Sequence, residues 1–80
     1  MVDLNLYKSP DVANRIKSYA KIKNVALKTI LEECGLGSNT FSHMFHGKEI
    51  SFSSLARIAD FLDVSVDYLV GRTDIPEVNR

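Results

Sequence analysis

The chain has 80 residues, of which 45% are hydrophobic and 25% charged, and its formal net charge at pH 7 is zero. This length predicts one small domain without room for a separate sensor or catalytic domain. No stretch approaches the roughly 18 apolar residues of a membrane span and no signal-peptide pattern opens the chain, so we expect a cytoplasmic protein with no membrane partner.

The charges are unevenly distributed along the chain. From Lys8 to Lys28 there are six positive residues and one acidic residue, whereas from Thr29 onward four positive residues accompany eight acidic ones. Such asymmetry is typical of a protein with one charged face. A zero net charge disfavours tight nonspecific binding to nucleic acid, because phosphate neutralisation supplies most of that affinity. If the chain binds DNA, we expect salt sensitivity and dependence on specific contacts.

Residues 1–9 are predicted to form a short extended N-terminal arm. Apolar and polar side chains alternate over Val2–Tyr7, which is the period of a strand. A lone strand is not stable, so the arm either lies on the domain or pairs with another chain.

Helix 1 is predicted from about Pro10 to Lys23. Ser9 is a suitable hydroxyl N-cap before a proline in the first turn, and Asn24 is expected to end the helix. Its apolar spacing buries one face, formed by Val12, Ile16 and Tyr19.

Helix 2 and helix 3 are predicted to be joined by a glycine turn. Gly35 follows Cys34, the last apolar residue of helix 2, where a helix commonly ends in a residue with a left-handed backbone conformation. Helix 3 is expected over about Ser38 to His46, with Gly47 as its stop. The apolar face of helix 2 consists of Leu27, Ile30, Leu31 and Cys34, and that of helix 3 of Phe41, Met44 and Phe45.

Two further helices complete an all-α prediction of five. Helix 4 begins after Ser51, with Phe52 near its start, and helix 5 spans Val66 to Val70, with Ser65 as N-cap and Gly71 as stop. The tail from Thr73 to Arg80 is expected to be loosely held. The inward residues of helix 4 are Leu55, Ile58, Ala59 and Leu62.

Metal binding and catalysis are not expected. His43 and His46 lie three residues apart with Cys34 nearby in sequence, but Cys34 belongs to an apolar face and reads as a buried, reduced thiol. Ser42 and His43 are neighbours whose side chains point in different directions, so they cannot form a nucleophile–base pair. We therefore expect no metal, no cofactor and no enzymatic activity.

Four segments of the chain form an ordered set: GLGSNTFS at 35–42, Gly47-Lys48, LARIA at 55–59 and VSVDYL at 64–69. Together they resemble the phage repressor/Cro-type (Xre) helix-turn-helix family over about Asn14 to Arg72. The resemblance implies a five-helix lambda-repressor-like domain at residues 10–72, between the arm at 1–9 and a C-terminal tail at 73–80. It also implies a transcriptional regulator, most often a repressor, which binds a palindromic operator in double-stranded DNA as a homodimer.

Carried over residue by residue, the resemblance assigns a DNA-binding site to helix 3 and its surroundings. Helix 3 would enter the major groove, where an Asn side chain pairs well with adenine. Helix 5 would carry the dimer contacts, for which the candidates are Val66, Tyr68, Leu69 and Val70. The base-reading candidates are Ser38, Asn39, Thr40 and His43, and the phosphate candidates are Lys28, Ser42 and Lys48.

The chain departs from the family pattern at several positions. The family often has a capping hydroxyl at 26 and a DNA-contacting glutamine at 27, where this chain has Ala26 and Leu27. Gly37 replaces a usual hydroxyl cap of helix 3. Ala20 and Phe45 stand where many relatives have an ion pair, which we interpret as an exchange of charge for packing.

The alternative hypothesis is a protein-interaction module of the antitoxin or anti-repressor type on the same fold, since fold does not fix function. The zero net charge, the apolar arm and the tail at Ile75–Val78 favour it. On this hypothesis DNA binding is secondary or lost. A separate alternative for Ser38, Asn39 and Thr40 is that they are only turn residues that favour a helix start.

Overall fold

The structure, a computed structural model, describes residues 8–78, which form five helices and no strand. The all-α prediction is confirmed. The predicted arm lies outside the described residues apart from Lys8 and Ser9. In chain order the helices are α1 (Ser9–Ile22), α2 (Leu27–Glu33), α3 (Thr40–Phe45), α4 (Phe52–Leu62) and α5 (Val66–Val70).

The predicted N-cap of α1 is wrong by one residue. Lys8 occupies the cap position with an extended backbone, and its side chain makes no capping bond. Ser9 is therefore already helical, and Pro10 falls in the first turn, where its missing N–H needs no helical partner. The C-terminal end of α1 agrees with the prediction that Asn24 ends this helix, because Asn24 has a left-handed φ of 59° just after it.

A single core joins all five helices. α1 packs against α3 and α5, and α4 packs against α2 and α5. The predicted inward faces of α1 and α4 are buried as expected. Each helix contributes one of the largest fully buried side chains, so none covers its apolar face without the others. These side chains are Ile16, Ile30, Met44, Ile58 and Leu69.

One predicted apolar position, Phe45, differs from expectation. Phe45, predicted as a core anchor of helix 3, remains 38% exposed because it is the last residue of α3 and no further turn of that helix covers it. At the two positions where we interpreted an ion pair as replaced by packing, Ala20 is therefore fully buried but Phe45 only in part. Phe52, the first residue of α4, is 80% exposed.

The tail is held more firmly than predicted. The backbone N–H of Ser65 donates to the carbonyl of Pro76 at 2.9 Å, and that of Ile75 donates to the Thr73 hydroxyl at 3.1 Å. The N–H groups at a helix start need partners from outside the helix. The tail is therefore tied to the start of α5 at least as far as Pro76. Across residues 8–78, no helix combines the length and apolarity that crossing a bilayer requires.

Candidate nucleic-acid interface

The turn between α2 and α3 has the geometry expected from its glycine. Gly35 has a φ of 69°, which a side chain would disfavour. Its N–H donates to the carbonyl of Glu32 at 3.3 Å, and the N–H of Leu36 donates to that of Leu31 at 2.8 Å. These bonds satisfy carbonyls that the end of α2 would otherwise leave without partners. The chain then reaches α3 through residues 36–39.

Ser38 and Asn39 lie in this turn rather than inside α3, which begins at Thr40 and is shorter than predicted. Both side chains are exposed. Asn39 occupies the N-cap position, yet its side chain makes no capping bond in the described chain. Its amide oxygen and nitrogen are therefore not used to start the helix.

Thr40 already uses its hydroxyl proton within the turn. Its Oγ1 donates to the carbonyl of Gly37 at 2.7 Å. A phosphate oxygen only accepts hydrogen bonds, so Thr40 would have to break this bond to donate to one. The hydroxyl can still accept a bond, and the methyl group can still make an apolar contact.

Thr40, His43 and Lys48 line one groove of about 190 Å³ between α3 and the start of α4. Ser51 and Ser54 line its α4 side, together with the carboxylate-bearing Glu49. An ammonium and an imidazole suit an anion, whereas Glu49 opposes one. The hydroxyl protons of Thr40 and Ser51 are already donated to Gly37 and Ser54. The groove therefore carries charged groups of both signs, Lys48 and Glu49.

The remaining predicted phosphate contacts lie outside this groove. Lys28 is exposed in the first turn of α2, and Ser42 is exposed on α3. The structure thus brings together three of the predicted residues, which are Thr40, His43 and Lys48. The other predicted DNA-binding residues are exposed elsewhere: Lys28 on α2, Ser38 and Asn39 in the turn, and Ser42 in the middle of α3.

His46 is fixed by a bond to α3 itself. Its Nδ1 lies 2.7 Å from the carbonyl oxygen of Ser42. A carbonyl oxygen can only accept, so Nδ1 carries the proton. The imidazole of His46 therefore adds a second donor to the Ser42 carbonyl, which also accepts from the His46 backbone N–H at 3.2 Å. Within residues 8–78, no group of three or more His, Cys, Asp or Glu residues could hold a metal ion.

The side chains of Ser51 and Ser54, which lie beside α3, were not found by sequence reasoning. Ser51 Oγ accepts from the N–H of Ser54 at 3.2 Å and donates to its hydroxyl at 2.7 Å. Ser51 was recognised as the boundary of helix 4, but its distance from α3 in sequence hid its place in the groove. The exposed ring of Phe52 follows directly, at the first position of α4.

A second missed residue is Arg57, whose Nη1 donates to the carbonyl of Cys34 at 3.0 Å. Cys34 itself is a buried free thiol, as predicted. Burial raises the pKa of this thiol and nearby Glu33 adds to the rise, while the Arg57 guanidinium works in the opposite direction.

The predicted dimer contacts divide into two groups. Val66, Tyr68 and Val70 are partly buried. The Tyr68 ring packs edge-on against the Tyr19 ring, with 5.5 Å between the ring centroids. Leu69 is 0% exposed and belongs to the core of its own chain, so its assignment as a dimer contact is wrong. A five-residue helix has one inward face, and Leu69 occupies it.

The site must be interpreted from its own residues and their geometry. No family model matches the chain, and neither a curated protein nor a solved structure matches it.

Proposed function

We propose that the chain is a sequence-specific DNA-binding regulator of the phage repressor/Cro type, with a lambda-repressor-like fold. It acts as a repressor and binds a palindromic operator as a homodimer, with α3 in the major groove. The observation that carries this proposal is the start of α3, where Ser38 and Asn39 are exposed and Asn39 does not cap the helix. In addition, no acidic residue occurs from Gly35 to Gly47. A surface that contacts base edges and phosphates needs exposed polar side chains that are not already used, and it needs to lack negative charge.

Each side chain at the start of α3 has a chemically defined role in this proposal. Asn39 can pair with adenine N6 and N7 through its two amide atoms. Thr40 can accept from an exocyclic amine or place its methyl against that of thymine, because its own proton is engaged with Gly37. His43 can donate to guanine N7 or O6. Residues at the N-terminus of a recognition helix are the ones that reach bases in this class of motif.

Phosphate contacts are proposed for the side chains around α3. Lys48 and His43 share the groove beside α4, Lys28 lies at the start of α2 and Ser42 is exposed on α3. Such contacts set the orientation of a protein on DNA without reading sequence. Because the chain has no net charge, these few contacts should set most of its salt dependence.

The experiment that tests this proposal is selection of bound sites from a random duplex pool at two salt concentrations. We expect a palindrome with half-sites one helical turn apart. Asn39→Ala should weaken binding to the selected site by roughly 1–3 kcal/mol and relax one base position. Lys28→Ala should weaken binding to all sequences alike and make the salt dependence shallower.

The matched control is Asn14→Ala, which removes another exposed asparagine, from α1. It should leave the selected site and its affinity unchanged. Absence of any enriched sequence at either salt concentration would contradict the proposal. Equal affinity of Asn39→Ala and the wild-type chain would contradict the base-reading role of Asn39.

A protein-interaction module is the second candidate, and one observation favours it. The tail and the start of α5 enclose a groove of about 420 Å³ lined by Asp67, Ile75, Glu77 and Val78 among others. Ile75 is 63% exposed there. An apolar floor with acidic side chains suits a partner segment that combines apolar and basic residues. Asn39→Ala should leave such an interaction intact.

A further inference from the structure

Arg57 links α4 to the turn between α2 and α3. Its Nη1 donates to the carbonyl of Cys34 at 3.0 Å, across 23 positions of sequence, and its Nε donates to the carbonyl of Ser53 at 3.4 Å within α4. A Cβ added at Gly35 would lie 3.8 Å from the same Nη1. The guanidinium thus lies against the backbone at the point where the chain leaves α2.

This bond acts where the chain leaves α2 and adds a contact with α4 to the turn's own backbone bonds, which are Gly35 to Glu32 and Leu36 to Leu31. The turn contains Gly35 and Gly37, and glycine has more conformational freedom than any other residue. The last carbonyls of a helix have no partner inside it, so the carbonyl of Cys34 needs a donor from outside. A charged, forked donor that is itself held by α4 supplies one in a defined direction.

We propose that Arg57 is a positioning residue for α3: by binding the carbonyl of Cys34 it fixes the α2–α3 turn on α4 and so sets the angle at which Ser38 and Asn39 are presented. The consequence for DNA recognition rests on the function proposed above. Arg57 acts through the turn and not through a phosphate. Its loss should therefore reduce affinity for the selected site without altering the salt dependence of binding.

The first test needs no DNA and measures amide hydrogen exchange in the whole chain. Arg57→Gln shortens the side chain and removes the guanidinium. The amides of Gly35 and Leu36, which close the turn, should exchange about three- to tenfold faster, as expected for loss of a charge-assisted hydrogen bond at a partly exposed site. The Lys23 amide at the end of α1 should be unchanged. Arg57→Lys keeps a charged donor and should recover most of the protection.

The matched control is Arg72→Gln, which removes another arginine, whose 3.8 Å ion pair with Asp67 is exposed on both sides. Arg72→Gln should change the exchange rates of neither the Gly35 and Leu36 amides nor the Lys23 amide, because exposed ion pairs contribute little to stability. Equal acceleration at Gly35 and Lys23 in Arg57→Gln would show a general loss of stability and overturn the proposal. So would no acceleration at all.

The second test uses the selected duplex at several salt concentrations. Arg57→Gln should bind about tenfold more weakly with the wild-type salt slope, whereas Lys28→Gln should have a shallower slope. A shallower slope for Arg57→Gln would identify a phosphate contact and overturn the positioning role, and so would unchanged affinity. If the wild-type chain selects no site, the proposed function fails, while the exchange data still decide whether Arg57 holds the turn.

Discussion

At the scale of single residues, the polar side chains of α3 differ in how much of their hydrogen-bonding capacity is already used. Thr40 donates to Gly37, and His46 donates to Ser42. Asn39 occupies a cap position without capping. Asn39 therefore keeps its amide oxygen and nitrogen for a partner outside the helix.

The glycines of the α2–α3 turn are predicted to respond in opposite ways to alanine. Gly37 has no left-handed φ, and a Cβ there would meet nothing closer than 4.0 Å. Gly37→Ala should therefore raise the free energy of unfolding by about 0.4–1 kcal/mol, because it restricts the unfolded chain. Urea unfolding of the two proteins measures this difference.

The matched variant for this prediction is Gly35→Ala. Gly35 has a φ of 69°, so alanine there should lower the free energy of unfolding by roughly 1–2 kcal/mol. A loss of stability in Gly37→Ala similar to that in Gly35→Ala would contradict the assigned conformations.

At the scale of elements, the helices differ in how their first turns are satisfied. Ser51 caps α4 and Ser65 caps α5, each by accepting from the N–H three residues later. The N-cap of α2 is Ala26, which has the extended cap conformation but no side-chain acceptor. The capping group that the family resemblance expects at this position is therefore absent.

Ala26→Ser is predicted to stabilise the protein by supplying this missing cap. The gain should be about 1 kcal/mol in the free energy of unfolding, measured in urea, because Ala26 already has the backbone conformation of a cap. Ser51→Ala should lose a similar amount at α4. Ala26→Gly, which adds no side-chain acceptor, should change stability by less than Ala26→Ser. A serine that gave no gain would contradict the assigned start of α2.

At the scale of the whole molecule, α5 combines a core role with an outward one. Leu69 is fully enclosed by its own chain, while Val66, Tyr68 and Val70 retain exposure. Any second copy that binds α5 would contact these three residues and not Leu69. Dimer formation and folding should therefore be separable by mutation.

We predict that Val66→Lys and Leu69→Ala have different effects. Val66→Lys should weaken self-association, measured by sedimentation equilibrium, with a small change in unfolding at low protein concentration. Leu69→Ala should lower the free energy of unfolding by about 2–5 kcal/mol, because it leaves a cavity in the core. A Val66→Lys chain that associates like wild type would place the dimer contact elsewhere.

Much of the fold was predictable because it depends on local rules. Gly35, Gly47 and Gly71 follow α2, α3 and α5, and all three have positive φ. The apolar spacing of α4 identified its buried face. The errors lie at helix ends, where one residue decides the cap, as at Lys8 and at the start of α3.

The candidate site was predictable only in part. Ser38, Asn39 and His43 are exposed, as a site on α3 requires. The sequence did not indicate that Thr40 would use its hydroxyl proton on Gly37, or that Ser51 and Ser54 would join Lys48 in one groove. These features depend on which helices meet, which local spacing does not encode.

The sequence by itself determined five helices, their glycine stops and most of their buried faces, because side-chain sterics and helical periodicity act over a few neighbouring residues. Only the tertiary structure decided that Arg57 would bind the turn 23 residues before it, that Leu69 would be enclosed and that Phe52 would remain exposed. Each of these depends on how separate helices pack together, and packing is a property of the whole chain.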